Sequence, residues 1–519
     1  MGPSSFLISG YRSYMRSRFA ASIAVAALVL AACSSANPSS VPIPEPLTTE
    51  SIPTALQSFY RQQLKWTDCG GAQCTKITVP LDYLNPGKAT TQLNVVKVAA
   101  QGDKLGSLFV NPGGPGGSGF DYAKSALQMF TNAVTDNFDV IGVDPRGVAT
   151  SDPIQCLTDQ QIDVLASSVV MSITTQQRKQ LEEQSRLPAQ GCGKLASPNY
   201  AYMSTENVAR DFDIARAVVG EQRFNYLGKS YGTAVGTKYA ELFPSQVGRM
   251  VLDGVLPTDL TLDGVTQVQA LGFEQAFVDF VIDCGTHNDC PYQGSDSQVA
   301  QKLRGLFSDL DKSPIKLQDG RELTGAFARS AVLSYLYFPV TDYPKLRDAL
   351  NQLVNESNAA PLVKLSDERS GRQSDGQYRY NSFDSYFSVT CLDRQFRQST
   401  NQVASLAKAW AKISPTFGEN LAWGILPCSN WPATAAGPAK VKIASSVAPI
   451  LLVSRTQDPA TPVQWAKNLQ RKIPNSGLII WDSQGHTAYH QGSSCIDRAV
   501  DTYLLRGTLP LANTQCSNA

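Results

Sequence analysis

The chain has 519 residues, 42% of them hydrophobic, and carries 45 Lys and Arg against 44 Asp and Glu, a net charge of +1. That apolar content suits a large core and excludes disorder over most of the length. The charge balance leaves no electrostatic footprint for nucleic acid, and no stretch reaches the roughly 20 apolar residues a membrane helix needs.

In chain order, the first feature is a targeting segment. Arg12, Arg16 and Arg18 precede an apolar run over 19–32 that is short for a membrane span, and it ends in Leu30-Ala31-Ala32-Cys33. Small residues there fit a signal-peptide end. The cysteine that follows resembles the bacterial lipobox, in which Cys33 becomes the lipid-modified first residue of the mature protein. Residues 1–33 therefore read as a lipoprotein signal, with Met15 an alternative start. The chain is expected to be exported and held to the outer face of the membrane by that lipid. Residues 34–62 read as a tether rich in Ser and Pro.

Removing Cys33 leaves ten of the 11 cysteines, an even set that reads as disulfides in an exported chain. A zinc site would call for CxxC spacings and nearby histidines, and neither is present. No metal or cofactor is expected. Sequential pairing is the simplest scheme: Cys69 with Cys74, Cys156 with Cys192, Cys284 with Cys290, Cys391 with Cys428, and Cys495 with Cys516.

From Trp66 onward, short β-rich runs alternate with helical stretches. KITVPLDY and QLNVVKVAA read as an opening hairpin. GSLFVNPGG, FDVIGVDPRG, FNYLGKSYG and GRMVLDGVL read as buried strands ending in turns, and 206–219 reads as an amphipathic helix. This alternation predicts an α/β fold, a mostly parallel sheet with helices on both faces. Residues 260–385 show no convincing strand and read as a helical lid, with helices clearest over 267–284 and 321–338. Strand signals return in PILLVSRTQ and SGLIIWDS, followed by a last helix near 494–505. The domains are thus core over 63–259, lid over 260–385 and core again over 386–519.

The chemistry centres on Gly228-Lys229-Ser230-Tyr231-Gly232, which follows a predicted strand and opens a predicted helix. That is the setting of a nucleophile elbow, where glycines permit the sharp turn that leaves the serine hydroxyl clear of the sheet. The same residues match the end of a phosphate loop, but Arg223 stands where its first glycine belongs. Ser230 needs a base. Of three histidines, His486 follows a predicted strand and is favoured over His490 and His287. Asp458, in the turn after PILLVSRTQ, completes the order Ser–Asp–His of an α/β-hydrolase, ahead of Asp253 and Asp482. The glycine-rich 111–119 can aim backbone N–H groups at an oxyanion, with the Tyr231 amide as the second donor.

Taken together, NPGGPGGSG, DPRG, GKSYG, STENVARDFDIARAVVG, CLDRQF, DPATP and QGHTAYHQGSSC make the chain resemble the secreted tripeptidyl aminopeptidases of actinobacteria. These are proline-iminopeptidase-like α/β-hydrolases, and the likeness extends to cell-envelope serine hydrolases of mycobacteria. It covers about 66–516. One departure is Asn111, where proline iminopeptidases carry a histidine. The resemblance implies Ser230, Asp458 and His486 as a triad, Gly114 and Tyr231 as oxyanion donors, and a lid over the site. It also implies a peptide or protein substrate held by its free amino terminus through lid carboxylates. The expected activity is release of short peptides from N-termini, with acyl-ester hydrolysis by the same triad as the alternative and an inactive binding lipoprotein as a third.

Overall fold

The computed structural model describes residues 52–517 apart from 169–173, 196, 434–436, 438 and 513. Cys33, the signal segment and most of the tether lie outside these residues.

Side chains along the strands alternate between two apolar layers, as period-2 geometry requires of a sheet covered on both faces. Ten strands form the main sheet. In chain order they are β1 (Thr67–Asp68), β2 (Gln73–Pro80), β3 (Thr90–Val98), β4 (Gly106–Asn111), β5 (Phe138–Val143), β6 (Phe224–Lys229) and β7 (Val247–Asp253). After a two-stranded ribbon of β8 (Ile315–Lys316) and β9 (Glu322–Leu323) come β10 (Ile450–Gln457), β11 (Ser476–Gln484) and β12 (Gln515–Cys516). The spatial order is β1-β2-β3-β5-β4-β6-β7-β10-β11-β12. The expected hairpin is present as β2 against β3, every pair from β5 to β12 in that spatial order is parallel, and β3 joins β5 antiparallel.

On β7 and β10, Met250, Leu252, Ile450 and Leu452 face one layer, with Val208 and Phe212 of helix Thr205–Val219 and Ala466 of helix Val463–Gln470. Val251, Leu451 and Val453 face the other, with Ile496, Val500 and Leu504 of helix Ser494–Arg506. Each such side chain contributes roughly 1.5–3 kcal/mol on burial.

Three differences from the sequence reading concern boundaries. The tether expected over 34–62 gives way to structure earlier, with a 3-10 turn at Thr54–Leu56 and a helical turn at Gln57–Tyr60. Phe59 and Tyr60 pack on the core and the Tyr60 hydroxyl donates to Asp213 at 2.7 Å, so apolar side chains override the polar composition around them. The helix expected over 321–338 starts only at Gly325, because Glu322 and Leu323 pair in the ribbon and Thr324 caps the helix through the Phe327 amide. Among the described residues the main sheet resumes only at Ile450, although the second core segment was expected from 386. The helices between behave as that boundary implies in packing, if not in strand content. Side chains from Phe273 to Leu365 form a separate lid core, whereas Val389, Leu392, Val403 and Trp410 join the main one.

A second helical excursion, helices Asp159–Ser167, Thr175–Ser185 and Leu187–Leu195 after β5, was not foreseen. It leans on the lid, with Asp163 taking both Arg372 Nε and Nη2 at 2.9 Å. The cysteines are joined as Cys69 to Cys74, Cys156 to Cys192, Cys284 to Cys290, Cys391 to Cys428 and Cys495 to Cys516.

Candidate active site

Chain order reverses around β4, which lies between β5 and β6, and in open α/β sheets the crevice outside the carboxyl ends of the strands is where sites form. Four segments meet there: 111–119 after β4, Ser230 after β6, Asp458 after β10 and His486 after β11.

Ser230 sits at φ 54°, ψ −121°, outside the regions open to most L-residues. The sequence supports this strained turn with glycine. A Cβ on Gly228 would come within 2.5 Å of the Gly232 carbonyl oxygen, so no larger residue lets strand and helix approach so closely. The turn is held by Ser230 N–H donating to the Asp253 carbonyl at 2.9 Å and Thr233 N–H donating to the Ser230 carbonyl at 2.9 Å.

Asp458 and His486 meet directly. His486 Nδ1 lies 2.9 and 3.0 Å from the two Asp458 carboxylate oxygens. Asp458 also accepts the amides of Ala460 (3.0 Å), Thr461 (2.8 Å) and Thr487 (3.1 Å), and the Thr461 hydroxyl at 2.9 Å. Burial pushes its carboxyl up, but the His486 ring and these amides outweigh burial and hold it below the usual carboxylate range. With Nδ1–H given to Asp458, Nε2 is left as the lone-pair nitrogen. Ser230 and this ring both border the end of β7. Asp253 binds the Ser230 amide, and a Cβ on the next residue, Gly254, would stand 3.4 Å from His486 Cε1.

The glycine-rich loop closes the third side. Gly113 has φ 99°, and a Cβ there would come within 3.0 Å of Ser230 Cβ and 3.1 Å of Tyr231 N. The Gly113 amide is engaged by Asn111 Oδ1 at 2.9 Å, whereas no described atom accepts from the Gly114 or Tyr231 amide. Donors left free beside a nucleophile suit an oxyanion. Asp144 of the DPRG motif anchors the loop's end, accepting from Ser118 Oγ at 2.6 Å and Phe120 N at 3.0 Å. Arg146 of the same motif is a buried staple, paired at 2.6 Å with Asp211.

The other candidates have different places. His287 is exposed on the lid, bonded to the Asp283 carbonyl, and His490 is exposed with its amide on Asp497. Asp253 is buried, accepting the amides of Ala488 and Tyr489, and Asp482 is an exposed partner of Thr456. Sequence reasoning missed two neighbours. Thr461 Oγ1 lies 3.3 Å from His486 Nδ1. Tyr337 of the lid accepts the His486 amide at 2.8 Å and sets its ring edge-on to the imidazole, centroids 5.3 Å apart. DPATP placed Thr461 near Asp458 in the chain, but nothing in the sequence tied Tyr337 to His486.

A cleft of about 170 Å³ adjoins the free amides, lined by Pro115, Thr205, Tyr231, Leu256, Val389 and Asp393 among others. Asp393 accepts the Thr205 amide and hydroxyl, and among the described residues no cation lies within ion-pair distance. The described residues contain no His, Cys, Asp and Glu cluster suited to a metal ion and no helix long and apolar enough to cross a membrane.

Residues 414–516, which carry Asp458 and His486, match the α/β-hydrolase family model described as TAP-like protein. Over 477 residues the chain is 32% identical to the serine protease Hip1 of Mycobacterium tuberculosis, covering 88% of this chain and 91% of that one. It is 33% identical to carboxylesterase B of the same species (86% of each chain). It is 30% identical to a tripeptidyl aminopeptidase of Streptomyces coelicolor (88% and 86%). Likeness at this level along nearly the whole of both chains, over a parallel sheet with its elbow and acid–histidine pair at the strand ends, makes this chain a serine hydrolase of the TAP-like α/β-hydrolase family.

Proposed function

We propose that the protein is a serine exopeptidase that releases short peptides from the free N-termini of peptides or proteins. Ser230 Oγ attacks the scissile carbonyl and passes its proton to His486 Nε2, with Asp458 holding the ring and stabilising the imidazolium. The Gly114 and Tyr231 amides receive the oxyanion. The leaving amine takes the proton back from His486, and water then hydrolyses the acyl-enzyme by the same route.

The observation that carries the exopeptidase reading is Asp393, a buried carboxylate beside Tyr231 that makes no ion pair although Lys238 and Arg394 line the same cleft. An ammonium group would complete its hydrogen bonding, and such charge-assisted bonds are strong where water is scarce. Asp393 lies just past the 260–385 segment expected to supply that carboxylate. Relatives named serine protease and tripeptidyl aminopeptidase support the same reading. The relative named carboxylesterase B favours acyl-ester hydrolysis by the same triad, in which Asp393 has no part.

The test compares kcat/KM for free and N-acetylated di-, tri- and tetrapeptide amides on wild type and Asp393→Asn. Acetylation should cost wild type about 10- to 1,000-fold, as for losing a charged hydrogen bond of ~2–4 kcal/mol, and the variant much less. Equal rates on free and blocked peptides would replace this reading with the esterase one. Anchoring through a diacylglyceryl group on Cys33 is proposed on the lipobox alone, since two chains suffice for stable retention. Cys33→Ala should move the protein from membrane to medium, and unchanged partition would refute it.

A further inference from the structure

The loop after β11 adopts a backbone that few residues favour. Gly485 has φ 110°, and Thr487 and His490 have φ 58° and 57°, the first of them β-branched. Its polar groups are held one by one from outside. Arg455 of β10 donates through Nη1 to the Gln484 carbonyl at 2.5 Å and through Nε to the Thr487 carbonyl. Asp253, at the end of β7, accepts the Ala488 and Tyr489 amides at 2.9 Å each. Lys229, the residue before Ser230, donates to the Tyr489 carbonyl at 2.8 Å. All three side chains are buried. Burial lowers Lys229 and raises Asp253, and each opposes the shift of the other.

We propose that Lys229, Asp253 and Arg455 are positioning residues for His486, a charged cradle beneath the sheet end that fixes the loop and sets the electrostatic field on the imidazole. The inference rests on the triad assignment above but not on the choice between peptide and ester. It gives Lys229 a role the phosphate-loop likeness could not. The charged ends of β6, β7 and β10 hold the loop while Tyr337 of the lid takes the His486 amide, so sheet and lid grip the same loop. Charge-assisted bonds, about twice as strong as neutral ones, suit a backbone that strains against its place. Asp458, just after β10, and Tyr337 of the lid contact the ring itself, while Arg455 of β10, Asp253 of β7 and Lys229 of β6 surround the loop that carries it. Tyr122 faces Asp253, and Asp497 faces Lys229, from the flanking helices.

The signs can be separated. Lys229→Met removes a positive charge, leaves Arg455 as the remaining cation on Asp253 and favours the imidazolium, so the acid limb of kcat/KM moves to higher pH. Asp253→Asn removes a negative charge and moves it to lower pH. Both should reduce kcat about 10- to 100-fold with KM changed less than threefold, the double variant should return the limb towards wild type without restoring kcat, and Lys229→Arg should keep the limb in place. The experiment measures kcat, KM and their pH dependence on one peptide amide, with labelling by a fluorophosphonate. If Asp253→Asn does not fold, Lys229→Met against Lys229→Arg carries the sign. Limbs that stay put, or move the same way in both single variants, overturn the proposal. Wild-type labelling that survives Ser230→Ala overturns the triad instead.

Discussion

In the loop that carries His486, backbone groups are taken up by side chains of other elements, and the chain is held in positive-φ conformations. In the lid that faces it, helices satisfy their own backbone and arginines pair with carboxylates instead. Arg321 pairs with Asp367, Arg329 with Asp311, Arg347 with Asp283 and Arg304 with Glu274. The lid also has its own apolar core, and a cavity of about 400 Å³, lined by Phe327, Phe383, Phe387 and Trp423, lies where it meets the excursion after β5. The first region stores strain for geometry, and the second is a self-supporting wall. The contrast teaches that the sheet ends position backbone through side chains of distant elements, whereas the lid helices hold themselves together.

Breaking the sheet side should have the largest effects. Ser230→Ala should keep the fold, abolish fluorophosphonate labelling and lower kcat roughly 10⁴-fold or more. Retained labelling would move the nucleophile elsewhere. Asp458→Asn should lower kcat about 10³- to 10⁴-fold by admitting the wrong imidazole tautomer, with thermal unfolding close to wild type. A loss of less than tenfold would return the orienting role to Asp253.

Lid damage should read out as stability and selection. Arg329→Met leaves Asp311 buried without its cation and should cost about 3–5 kcal/mol in denaturant unfolding. Labelling of Ser230 should stay within threefold while KM for a tripeptide amide rises. Labelling lost in step with stability would erase the distinction between wall and machinery.

The smallest effect tests where the two meet. Asp384 opens helix Ser382–Asp393, which sits on the glycine loop, since a Cβ on Gly116 would come within 3.0 Å of the Ser382 carbonyl oxygen. Burial pushes its carboxyl up to about 7, against the Cys156 and Leu157 amides that lower it, and its Oδ1 has no partner. The folded form binds the proton more tightly than the unfolded chain. Stability is therefore highest below about pH 4 for this group and is lost as pH rises to about 7, by up to about 4 kcal/mol. Asp384→Asn should flatten that slope and be the more stable protein at pH 8. Parallel pH profiles would show that the group ionises freely.

Much of this was legible in the chain. Runs such as FDVIGV and PILLVS announce buried parallel strands because both of their faces need apolar cover. GKSYG after one such run announces the elbow because only glycine admits that approach of strand and helix. Order along the chain was enough to choose Asp458 and His486, since loops at strand ends converge once the strands lie parallel. What no local pattern carries is contact between distant segments. Asp253 resembled a candidate acid because it too follows a strand, and only the spatial order placed it under Tyr489 rather than against the imidazole. Tyr337 reads as one aromatic among many in a helical stretch until the lid folds back and its carbonyl meets the His486 amide. Periodicity and turn chemistry are local interactions, so the sequence by itself determined the strands, the elbow and the candidate acid and base. Burial, charge compensation and the lid's grip on the histidine arise between residues far apart in the chain, and only the tertiary structure decided them.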